Sequence, residues 1–149
     1  DAFISPRPRD LQKPVADREL RTVFHDVQDV EREYFTRTGI YPINHTVVMR
    51  RELLDDFPDA AAAIFAAYCH GKKRALARRI GSTFVPWGKE YWTETMAVFD
   101  GDPFPMGLTE SNRNNVGTLL RYLHEQKLIS ELPEIEDLFL PGTAGFIEE

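Results

Sequence analysis

Apolar residues return at three- and four-residue steps through residues 17–38, where Leu20, Val23, Phe24, Val27, Val30, Tyr34 and Phe35 share one stripe and charges fill the other face. The spacing predicts a helix, stopped by Thr38-Gly39. The pattern changes at residues 46–49, TVVM, a short β-branched run that reads as a buried strand. Residues 1–4 read the same way and stop at Ser5-Pro6-Arg7-Pro8, because two prolines remove two ladder donors and fix an extended exit. Residues 9–16 carry no periodicity and are expected to be a loop. After an amphipathic turn over residues 50–57, Pro58 sits near the first turn of an expected helix over 59–79, with Ala60, Ala63, Ile64, Ala67, Tyr68 and Cys69 on its apolar face. Its basic residues gather toward the C-terminus, which suits the helix dipole, and Gly81 ends it. An aromatic turn over 84–88 leads into a helix over 89–99. Thr109 is a good N-cap for a helix to about Lys127, with Val116, Leu119, Leu120 and Leu123 in a stripe. Residues 132–140 predict one more short helix, begun by Pro133, and beyond Pro141 and Gly142 the tail is expected to be mobile.

The 149 residues suffice for one domain with a core, and 42% hydrophobic with 28% charged content is ordinary for a soluble protein. A net charge of −6 and a pI near 5.3 argue against a general nucleic-acid surface, which needs a basic field over a whole face. The cluster Lys72, Lys73, Arg74, Arg78 and Arg79 therefore reads as the solvated face of a helix. The single cysteine, Cys69, excludes an internal disulfide and a cysteine-based zinc site, and reads as a small buried hydrophobe. No apolar run approaches the roughly 18 residues of a membrane span. The chain starts at Asp1 without an initiator methionine, so its true beginning is expected upstream and the compartment depends on it. A plain start implies the cytoplasm. A secretory signal or lipoprotein cysteine upstream implies a periplasmic or lipid-anchored protein.

Several residues imitate chemistry without completing it. His25 and Asp29 are one helical turn apart, but a divalent metal wants three or four converging ligands and no third follows at helical spacing. Glu31 and Glu33 point in different directions on a helix. The loop DGDPFP over residues 100–105 lacks the alternating oxygens and terminal glutamate of a calcium loop. Trp87, Tyr91 and Trp92 read as packing, although an aromatic ligand would use the same surface. The strand over residues 46–49 is different, because Asn44, His45, Arg50 and Arg51 bracket it where its backbone leaves the core. Open α/β folds place ligand groups at such points. Arg7 stands at the carboxyl end of the other expected strand, and reads equally as a surface arginine in a proline-rich linker or as an anion ligand. Ser5, Arg7, Asn44, His45 and Arg50 are expected to face one concavity. Two short strands cannot cover four or five helices, so a sheet is missing from the domain these elements would build. Such a chain is expected to be a fragment, with a bare apolar surface that favours self-association.

The succession DAFISPRP, VEREYFTRTGIYPINHTVVMRREL, PWGKEYWTET, DPFPMGL followed by Asn112-Arg113, and LLRYLHEQ resembles the C-terminal half of the 4,5-dihydroxyphthalate decarboxylase family. That family is similar to the type II periplasmic binding proteins, many labelled as solute-binding components of ABC transporters. The resemblance runs from Asp1 to about Phe139. It implies an α/β fold of two lobes joined by a hinge, with residues 1–43 ending the second lobe, and residues 44–149 supplying the hinge crossover and helices of the first. Met106 stands where an aromatic is expected, and Lys127 where glycine is expected after a helix.

Two functions follow from the resemblance. One is non-oxidative decarboxylation of an aromatic dicarboxylate such as 4,5-dihydroxyphthalate to protocatechuate and carbon dioxide, without a cofactor. His45 would be the general acid and Arg7 and Arg50 the carboxylate clamps, with Ser5 and Asn44 beside them. The other is capture of a small anionic or aromatic solute for a transporter by the same cleft, with lobe closure and no chemistry. His45 has a plainer reading too, as a hinge residue that bonds the backbone. Fold alone does not separate these readings, because function lives in the site.

Overall fold

The computed structural model describes residues 8–80 and 85–148. The expected strand over residues 1–4 and the stop at Gly81 lie outside the described residues. Two compact units divide the chain, residues 1–33 and residues 34–149.

In the first unit, the 3-10 turns Arg9–Gln12 and Val15–Asp17 replace the expected loop and the first part of the expected helix. Helix α1 is Val27–Thr38, ten residues shorter at its start than the periodicity predicts. The cause is local. The Asp10 carboxylate accepts from the backbone N–H groups of Glu19 (3.0 Å) and Leu20 (2.7 Å), which gives those donors an alternative to a helical ladder. Val23 and Phe24 are largely exposed, so no packing offsets the cost of nucleating a helix there. His25 consequently lies before α1 rather than one turn from Asp29.

The second unit is built from the end of α1 and four further helices: α2 (Glu52–Asp56), α3 (Ala60–Ile80), α4 (Gly88–Val98) and α5 (Glu110–Glu125). A 3-10 turn, Ile135–Leu138, stands where residues 132–140 predict a helix. Helix α3 packs on α2 and α4, and the Ile135–Leu138 turn packs on α5. There the Ile135 Cδ1 lies 3.6 Å from the position a Cβ would take at Gly117, and Arg113 pairs with Glu136. Thr109 caps α5 as its sequence predicts, its hydroxyl accepting from Asn112 N–H at 3.2 Å. At the other end, Lys127 N–H donates to His124 (2.9 Å) and Leu128 N–H to Leu123 (2.8 Å), a Schellman stop with Lys127 in the left-handed region at φ 60°. Lys127 thus occupies the position glycine favours.

Among the described residues no strand forms, and the one backbone bridge is antiparallel, Gly107 with Ile147. Residues 46–49 form no regular element, and Val47 and Val48 are 58% and 87% exposed. A strand needs a neighbour to take its backbone donors, and none of the described segments supplies one. The buried residues among those described are Pro103, Leu108, Asn115 and Leu120. They collect around the start and middle of α5, so the unit has a small core and wide apolar surfaces. Cys69 is half-buried rather than buried, and Trp87 and Tyr91 are exposed, so the expected aromatic packing is not made by those two.

The tail corrects another expectation. Rather than moving freely, residues 142–148 dock on the second unit through the Gly107 bridge, a Phe146 ring 5.4 Å from that of Phe65, and a Glu148 pair with Lys72.

Candidate functional site

The segment between α1 and α2 carries three of the five expected site residues. It is pinned at both ends. At the first end Gly39, at φ 66°, donates to Phe35 (2.7 Å), Ile40 N–H donates to the Thr38 hydroxyl (3.1 Å), and Asn114 Nδ2 donates to the Thr38 carbonyl (3.1 Å). Tyr41 then meets Phe99 edge-on at 5.0 Å, and Phe99 also stacks with Phe35 at 4.4 Å. At the second end Leu53 N–H donates to the Arg50 carbonyl at 3.2 Å, which starts α2. Between these anchors Asn44, His45 and Arg50 are all exposed. The backbone therefore presents an imidazole, an amide and a guanidinium within seven residues on a segment fixed at its ends. Ser5 and Arg7 lie outside the described residues.

Beside this segment runs a cleft of about 420 Å³. Val47, Val48 and Met49 form one wall, Ile64, Phe65 and Tyr68 of α3 another, and residues 137–141 with Phe146 close it. Its volume lies in the range of small-molecule sites, and its lining is mostly apolar with a few polar groups. Those polar groups are Arg51, Tyr68, Asp137 and Thr143. Arg51 lines the cleft and its neighbour Arg50 does not. Sequence periodicity places Tyr68 on the apolar face of its helix, and it is instead 53% exposed at the cleft. Nothing in the spacing of Arg51 and Asp137, 86 residues apart, announces that a chain fold would bring them to one cavity.

The strongest charge cluster is elsewhere on the unit. Lys72 of α3, with only 11% of its side chain exposed, donates to Asp102 Oδ2 at 2.7 Å and to Glu148. Burial pulls the ammonium down, but the hydrogen bonds to Asp102 and Glu148 and their charges outweigh it, so its pKa lies above the ordinary 10.5. Asp102 also accepts from Phe104 N–H at 3.0 Å, which shapes the DPFP turn. Asn112 holds the same turn from α5, its Nδ2 donating to the carbonyls of Pro105 (2.8 Å) and Gly107 (2.7 Å). The sequence run DPFPMGL with Asn112-Arg113 is thus a structural device, with Arg113 pairing to Glu136. Glu136 is held below the usual carboxylate value by that hydrogen bond. Among the described residues no three His, Cys, Asp or Glu side chains converge as a metal site, and no helix is long and apolar enough to cross a membrane.

No family model matches the chain. It is 25% identical over 129 residues to 4,5-dihydroxyphthalate decarboxylase of Comamonas testosteroni. The match covers 84% of this chain and 39% of that protein, so the chain spans about two fifths of the length of the curated relative it matches. The similarity is that of a distant relative.

Proposed function

We propose that this chain forms part of a carboxy-lyase resembling 4,5-dihydroxyphthalate decarboxylase. The observation that carries the reading is collinear similarity to that enzyme over 84% of the chain. In this reading the polypeptide belongs to a two-lobed α/β fold of the periplasmic-binding-protein type. Residues 46–49 gain their strand partners in that fold, and the exposed Val47 and Val48 side chains become covered. The substrate is an aromatic dicarboxylate bearing electron-donating hydroxyls, held between the lobes.

His45 acts as the general acid. Its imidazole gives a proton to the ring carbon that carries the departing carboxylate, a step helped by the ring hydroxyls. The carbon–carbon bond then breaks, carbon dioxide leaves, and the released electron pair restores the aromatic ring. One proton enters the product where one carboxylate left, and solvent reprotonates the imidazole. Arg50 and Arg7 hold the carboxylates through charge-assisted hydrogen bonds, and Asn44 and Ser5 orient the substrate. The exposed position of His45, Asn44 and Arg50 on one pinned segment supports this assignment, because such a segment can meet a ligand without rearranging.

The test is His45→Gln in the complete protein. Carbon dioxide release should vanish while affinity for the dicarboxylate stays within a few-fold. Unchanged turnover would remove His45 from the mechanism.

A further inference from the structure

A second and larger hollow, of about 930 Å³, lies between α5 and residues 128–138. Leu119 and Leu123 line it from the helix, and Leu128, Leu132 and Leu138 from the opposite wall. Leu119, Leu128, Leu132 and Leu138 are each at least half exposed, so the hollow is an open groove rather than an enclosed cavity. A continuous apolar surface of this kind, rimmed by polar groups, marks a place of association. The charges along it are of one sign. Glu131, Glu134 and Asp137 recur every three residues on the wall opposite α5, and no lining residue is basic. All three carboxylates are exposed, and none pairs with a cation among the described residues. Glu136, which does have a cation in Arg113, is the acid of this segment that does not line the groove.

The groove also restricts the form of its occupant. The α5 backbone spends its N–H and C=O groups inside the helix, so a chain lying along it finds no ladder to join and must satisfy its own backbone. A helix does so, and it brings large apolar side chains to one face at three- and four-residue steps. A second copy of this chain fits poorly. Its net charge of −6 repels an acidic rim, and the basic half of its α3, residues 70–78, leaves only Ala75 and Ala77 exposed among its apolar side chains, too small to fill a leucine-lined groove. We propose that this groove docks a basic amphipathic helix of a partner protein, with its apolar side chains among the leucines and a row of Lys or Arg against Glu131, Glu134 and Asp137. Apolar burial supplies the affinity, while the acidic row sets the orientation and rejects acidic helices. Asn44, His45 and Arg50 line no part of the groove, so the docking stands or falls apart from the reaction assigned to His45.

The experiment titrates the complete protein into a fluorescein-labelled peptide of leucine and lysine alone, about 14 residues or four helical turns long, with its leucines on one face. Anisotropy should report saturable one-to-one binding. A matched peptide with glutamate in place of every lysine should not bind. Glu131→Lys combined with Glu134→Lys should weaken binding of the lysine peptide about ten-fold, through two reversed charge pairs. Leu128→Ser should weaken it by about the same factor, through lost apolar burial. Glu52→Lys with Glu90→Lys makes the same change in net charge at exposed positions of α2 and α4 outside the groove, and should stay within about two-fold of the parent at 0.15 M salt. All these positions are exposed, and circular dichroism checks that each variant keeps its helices. Equal weakening by the two double variants would reduce the effect to net charge and overturn the proposal. So would equal binding of the two peptides, or no binding by the parent. Self-association of the parent that Leu128→Ser abolishes, without peptide binding, would make the occupant a second copy and overturn it too.

Discussion

Replacing Gly107 with alanine tests how the tail is held, and its size can be worked from the geometry. A Cβ at Gly107 would lie 1.8 Å from the Phe146 carbonyl oxygen and 2.8 Å from its carbon, far inside contact distance. The backbone there is at φ 87°, where a side chain adds roughly 1–2 kcal/mol of strain. Either the turn or the tail must move. The turn is held by the two Asn112 bonds to Pro105 and Gly107, so the tail leaves. Its departure forfeits the Phe146 contact with Phe65, about 0.5–1.5 kcal/mol for the ring pair. It also exposes the part-buried ring, about 1 kcal/mol at half the value of a fully buried side chain. The Lys72–Glu148 pair contributes about 0.5–1 kcal/mol more, taken at the scale of partly exposed pairs. The sum is about 3–5 kcal/mol, from which the lower unfolded-state entropy of alanine removes about 0.4–1 kcal/mol. Urea unfolding followed by circular dichroism should show a loss near 3 kcal/mol, and hydrogen exchange should show the Glu148 amide deprotected. A variant within about 0.5 kcal/mol of the parent, with Glu148 still protected, would refute the docked geometry.

Other substitutions probe α5 and its contacts. Lys127→Gly should stabilise by about 0.5–1 kcal/mol, because glycine removes left-handed strain at the Schellman position while adding unfolded-state entropy; a lower midpoint in urea would count against that stop. Thr109→Ala should cost about 1 kcal/mol by the same assay, whereas Thr109→Ser should restore most of it. Glu136 is held below its ordinary value of 4.5, so its pair with Arg113 contributes stability above that pH and loses it as pH falls through the lower folded value. Arg113→Ala should flatten this part of the acid limb of a stability profile. Lys72 is shifted the opposite way: its raised pKa contributes stability fully below pH 10.5 and loses it as pH rises through the higher folded value. Lys72→Met should remove that alkaline loss.

What the sequence disclosed divides by the range of the interactions involved. Helices α3, α4 and α5 follow from local signals: the alanine-rich face, the Pro58 entry and the Thr109 cap. Their energetics are set within one or two turns, so a reader of the sequence sees most of what matters. The start of α1 fails for the opposite reason, since Asp10 captures Glu19 and Leu20 from nine and ten residues away. Periodicity says nothing about such a capture. The run over residues 46–49 has strand chemistry but no partner among the described residues, which shows that β propensity states a need rather than a structure. Long-range charge was invisible too: Lys72, Asp102 and Glu148 are 30 and 46 residues apart in sequence steps, and each alone reads as surface. Asn44, His45 and Arg50 were legible as polar groups at the ends of an apolar run, and the structure leaves them exposed on a pinned segment. The cleft beside them is lined by Arg51 instead, a choice between adjacent arginines that only the backbone path makes.

The measurement that bears most directly on the assigned reaction is incubation of the complete protein with 4,5-dihydroxyphthalate, following protocatechuate and carbon dioxide together. The account predicts that both appear in equal amounts, with substrate loss matching them. Tight binding of the dicarboxylate with neither product formed would contradict it, and would make the protein a solute-binding component instead.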